Sequence, residues 1–165
     1  SETSASAETV PEETSETAAP ALGQYGQRQN TQAELDFIAK VFELVNIERE
    51  SRGLTAYQHL DVLDTIASIR AWELTVDYRP NHIRPNGESC TSAFNENGII
   101  YGAWGENIAA GQETPEEVVQ AWLDSPGHCA AMLSADYTHM GVGFYLEENG
   151  SDGYKYYWTQ EFYRY

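Results

Sequence analysis

The stretch HMGVGFYLEENGSDGYKYYWTQEFYRY (139–165) constrains the fold most, because its apolar residues recur at every second position. That period sends successive side chains to opposite faces of a sheet. The stretch therefore reads as two strands joined by a turn containing Asn149-Gly150. In the second strand Tyr154, Tyr156, Trp158, Gln160 and Phe162 share one face, and Lys155, Tyr157, Thr159, Glu161 and Tyr163 the other. Glu161 is expected to be solvent-exposed. A shorter third strand is expected near 101–109, in YGAWGENIA.

Upstream the period is helical. Leu35, Ile38, Val41, Phe42 and Val45 mark a first helix closed by Gly53. Val62, Leu63, Ile66, Ala67, Ile69 and Leu74 form one wide stripe on a second, over about 61–77. The irregular run DYRPNHIRPNGESC follows, broken by two prolines and Asn-Gly. Thr114-Pro115-Glu116-Glu117 supplies an N-cap, a first-turn proline and a capping-box glutamate for a third helix ending near Leu123. Ser125-Pro126-Gly127 opens a fourth that carries His128 in its first turn. Helices followed by antiparallel strands indicate an α+β domain, a sheet of three or more strands flanked by about four helices.

Residues 1–31 hold five glutamates and almost no large apolar side chains. Such a segment cannot bury enough surface to offset its ordering entropy, so it is expected to be a disordered tether before a domain over 32–165. The net charge of −17 argues against a nucleic-acid partner, whose phosphates call for Lys and Arg. No apolar run approaches the length of a membrane helix. The chain opens on a serine, which fits a secreted protein whose leader has been removed. Cys90 and Cys129 are expected to pair, closing a loop worth roughly 4 kcal/mol in the chain-entropy model. Two free thiols, or a zinc site of cysteine and histidine, are the alternatives.

Four histidines are present. His59 and His139 lie in polar surroundings and are expected to face solvent. His82 sits in a loop, and His128 follows Ser125 and Pro126, where the helix dipole favours a neutral ring able to bind a metal. Glu106 is a lone acid in the otherwise apolar WGENIAAG and needs a partner, whether Arg, backbone amides or a cation. Two histidines and a glutamate suit zinc with one position left open. Their wide separation in sequence leaves that reading and a packing role for His128 both standing. No nucleophile elbow surrounds any serine, which disfavours a Ser-His-acid hydrolase.

The order HIRPNG, GENIAAG, PEEVVQAWLDSPGHCAAML, MGVGFY and WTQEF resembles the CAP superfamily of cysteine-rich secretory, antigen 5 and pathogenesis-related 1 proteins. It looks most like the bacterial, SCP-like extracellular branch, and the likeness runs over about 33–163. The resemblance implies an α-β-α sandwich and a central cleft lined by two histidines and two acids, which in several members holds a divalent ion, often zinc. His82, Glu106 and His128 match three of those positions. The second acid would stand at Ser125, with Asp124 one residue earlier pointing differently, so Ser125 either contributes a hydroxyl or only caps its helix. A Cys90–Cys129 bridge would tie the His82 loop to the His128 helix. Trp158, Gln160 and Phe162 match the family's closing strand in a structural role.

The function expected from these residues is a secreted or surface-tethered, monomeric recognition domain with a metal-capable His/Glu cleft and no turnover. Its partner would be a cell-wall component, peptide or lipid. A zinc-dependent peptidase-like hydrolase, with Glu106 as third ligand or base, and a lipid- or sterol-binding module are the alternatives.

Overall fold

The computed structural model describes residues 23–165. Five helices and three strands occur among them: α1 Gln32–Ser51, α2 Asp61–Val76, α3 Thr91–Glu96, β1 Ala103–Ala110, α4 Pro115–Asp124, α5 Pro126–Met132, β2 His139–Leu146 and β3 Tyr156–Arg164. The sheet is antiparallel in the order β1-β3-β2, so the last strand is the central one and β1 forms an edge. This is the expected α-β-α sandwich. One face of the sheet carries Ala109, Met140, Val142, Phe144, Trp158 and Phe162 against Val41 and Val45 of α1, Val118 and Trp122 of α4 and Met132 of α5. The opposite face packs on α2 and α3, through Leu63, Ile66, Ala93 and Phe94 near Tyr163, and Leu74 near Ile108 and Tyr157.

Local chemistry accounts for the element ends. Thr31 and Glu34 form a reciprocal capping box at the start of α1. Thr114 accepts from the Glu117 amide, with Pro115 in the first turn of α4. The two glycines of MGVGFY have a packing role. A β-carbon on Gly141 would run into the Leu63 backbone, and one on Gly143 into the Ala67 carbonyl. Helix α2 therefore rests directly on β2, and the Thr159 hydroxyl of β3 donates to the same Ala67 carbonyl at 2.7 Å.

Three expectations need correction. The tether assigned to 1–31 is too long, because Gln27 is buried and donates to the Tyr145 hydroxyl at 3.2 Å. Arg28 likewise donates to Glu34, Glu147 and the Leu146 carbonyl. The packed domain thus includes 23–31, and residues 1–22 of that assignment lie outside the described residues. Second, the short helix α3 was not foreseen, since six residues with two buried side chains carry too little periodicity to register. Third, Glu161 is fully buried rather than exposed. Strand β3 is covered on both faces, so alternation along it separates two interiors instead of inside from outside.

Candidate functional site

The run HIRPNGESC folds as a small hairpin leading away from α2. Ile83 and Ser89 form an antiparallel bridge, Gly87 takes a positive φ at the tip, and the Cys90 amide donates to the His82 carbonyl at the neck. His82 itself has φ 64°, a backbone that non-glycine residues seldom adopt. The hairpin is moored by Arg84, whose Nε donates to both Glu73 oxygens at 2.9 and 3.0 Å. Its Nη1 reaches Ser92 and Glu96. The neck residues His82 and Cys90 are thereby held over β1.

On β1, Glu106 is paired across the strands with Glu161 of β3. Both lie on the face beneath α2, where Arg70 grips Glu106 with two parallel hydrogen bonds, Nε to Oε2 at 2.8 Å and Nη2 to Oε1 at 3.0 Å. Arg70 also donates to Glu73 at 3.3 Å. His82 Nδ1 donates to Glu106 Oε1 at 2.8 Å, which orients the ring and leaves Nε2 without a partner among the described residues. Burial works to raise Glu106, but hydrogen bonds from Glu161 and His82 and the Arg70 charge outweigh it, and the carboxyl stays below the usual range. Glu161 moves the opposite way. Burial, then the Glu106 charge, push it well up. No donor of the described residues reaches either Glu161 oxygen. The group keeps its proton and satisfies itself by donating to Glu106.

The cleft lies along the open edge of β1, between the hairpin on one side and α5 on the other. Its volume is about 570 Å³, and His82, Cys90, Trp104, Glu106, Ser125 and His128 line it. Asn107 pins α5 in place, its Nδ2 donating to the His128 carbonyl at 3.0 Å and to Gln160 Oε1 at 3.1 Å. Burial first, and the nearby His82 second, push the His128 imidazole down, so the ring is a neutral donor set. Ser125 occupies the N-cap position of α5 but makes no side-chain capping bond. Its hydroxyl belongs to the cleft wall.

The structure thus brings His82, Glu106, His128 and Ser125 to one cleft. It does not bridge Cys90 and Cys129, which are both free. Cys90 is buried in the cleft wall, where donor atoms of His82, Cys90 and Glu106 lie within 4.8 Å of one another. Cys129 follows the cleft-lining His128 by one residue and so points about 100° away around α5. Burial and the Glu106 charge push the Cys90 thiol up to about 11. Arg70, Glu73 and Arg84 went unremarked in the sequence. A signal existed for one of them, since Arg70 falls on the apolar stripe of α2 between Ala67 and Leu74. A buried guanidinium demands an acid.

The model of the cysteine-rich secretory protein family, CAP, matches residues 42–162. The chain belongs to the CAP family. The Bacillus subtilis protein YkwD is 40% identical to this CAP domain over 123 residues, 74% of the chain and 45% of YkwD. The B. subtilis membrane protein YlbC is 28% identical over 104 residues, 63% of the chain and 30% of YlbC. The chain therefore spans less than half the length of either relative. An extracellular Bacillus anthracis protein containing an SCP domain superposes with a TM-score of 0.69 at 24% identity, covering 84% of this chain and 45% of that one. An outer surface protein of Borrelia burgdorferi gives 0.67 at 20% identity, covering 83% and 97%. These solved neighbours are extracellular or surface proteins, and no helix among the described residues is long and apolar enough to cross a membrane.

Proposed function

We propose that this CAP domain is an extracellular recognition module of the bacterial envelope whose cleft binds a divalent cation, zinc by its donor types, together with a ligand that it does not turn over. The carrying observation is the state of Glu106. Arg70 occupies both its oxygens and His82 shares one of them, so it is spent as an anchor. The carboxylate thus orients a histidine rather than standing free as a general base, in the manner of a carboxylate–histidine–metal relay. His82 Nε2 and the ring of His128 remain without hydrogen-bond partners among the described residues and face the same cleft. Two imidazoles suit zinc, which accepts a further donor from a bound ligand at an open position.

Calorimetric titration of zinc into wild type, His82→Ala and His128→Ala tests this reading, with parallel incubation against peptides and cell-wall fragments. Micromolar or tighter binding in wild type, lost in both variants and unaccompanied by cleavage, is expected. Wild type that binds no divalent ion at micromolar levels, or His128-dependent cleavage, overturns it.

A further inference from the structure

We propose that Cys90 is a third protein ligand of the cleft cation, a sulfur donor that stands beside His82 and His128 where the sequence offers Ser125 in place of a second acid. The inference rests on the metal-binding reading above and deepens it. Cys90 and His82 are the two neck residues of one hairpin, joined by the Cys90 amide and the His82 carbonyl at 3.1 Å and held down through Arg84. Donor atoms of Cys90, His82 and Glu106 already fall within 4.8 Å of one another. Zinc bonds of about 2.0–2.3 Å bring tetrahedral donors to within about 4 Å, so the Cys90–His82 pair needs only small side-chain adjustments to share an ion.

His128 faces these two neck residues across the same cleft. On coordination the S–H bond breaks, its proton passes to water, and a sulfur–metal bond forms. A sulfur ligand also selects the metal, favouring zinc or cobalt over magnesium, calcium and manganese.

Cobalt(II) alone, titrated into the full chain under a non-thiol reductant, decides the matter. The expected spectrum carries a near-ultraviolet sulfur-to-cobalt charge-transfer band. Cys129→Ser should keep that band, and Cys90→Ser should lose it while binding cobalt at least about tenfold more weakly, the loss that even an outer partner of a ligand produces. Cobalt bound through His128 with no sulfur band, or a band that disappears with Cys129→Ser, overturns the proposal and leaves the metal-binding cleft standing. No binding at all overturns both. Wild type and Cys129→Ser carry the decision, so it does not depend on the folding of Cys90→Ser.

Discussion

Replacing Glu161 by Gln tests the buried acid pair most directly. In the native protein Glu161 holds its proton, because burial and the neighbouring Glu106 raise it. In the unfolded chain a glutamate ionises near 4.3. A group raised on folding contributes stability that is complete below its unfolded value and lost as pH climbs toward its folded value. Above about pH 4.3 the native state therefore binds one more proton than the unfolded state, and stability falls by about 1.4 kcal/mol per pH unit from this group alone. Glutamine keeps the shape and a donor toward Glu106 but cannot ionise. The difference in unfolding free energy, Glu161→Gln minus wild type, should thus grow as pH climbs above about 4.3, by up to about 1.4 kcal/mol per pH unit for as long as native Glu161 keeps its proton. Chelator-treated protein unfolded in urea at several pH values supplies the measurement. Parallel pH profiles for the two proteins would show Glu161 ionised in the native state and refute the proton-sharing pair. Glu106, lowered on folding, acts in the opposite sense, with stability lost as pH falls below the unfolded value, but both proteins share that contribution.

Gly143→Ala should cost about 1–3 kcal/mol or more in chemical denaturation, because the new methyl meets the Ala67 carbonyl and the Thr159 hydroxyl and forces α2 off the sheet. Gly127→Ala, with nothing near the added carbon, is the control for that effect. Reduction should leave the melting temperature unchanged, and alkylation of unfolded, unreduced protein should label two thiols, since Cys90 and Cys129 are unbridged. A drop of about 2–4 kcal/mol on reduction would instead reveal a bridge.

The sequence determined the elements and the places where chemistry could stand. Period-two and period-3.6 patterning marked β2, β3, α1 and α2, and Thr114-Pro115 and Ser125-Pro126 marked the starts of α4 and α5. Those are local signals, carried by neighbours within one or two turns. The motifs HIRPNG, GENIAAG and SPGH likewise named His82, Glu106, Ser125 and His128. Their partners were not legible. Arg70 meets Glu106 across 36 residues, and Glu161 lies beside it only because β3 inserts between β1 and β2. Alternation along β3 correctly separated Glu161 from Phe162, but could not say that α2 covers the Glu161 side. Burial of that side is what keeps one carboxyl protonated, draws a bidentate guanidinium to the other, and turns Glu106 from a candidate base into an anchor for His82. Cys90 lies in the cleft wall, unbridged to Cys129. Local sequence chooses helices and strands because hydrogen bonding and side-chain alternation are short-range. Charge states, ligand geometry and thiol pairing depend on what lies within a few ångströms in space, and only the packed tertiary structure decides that.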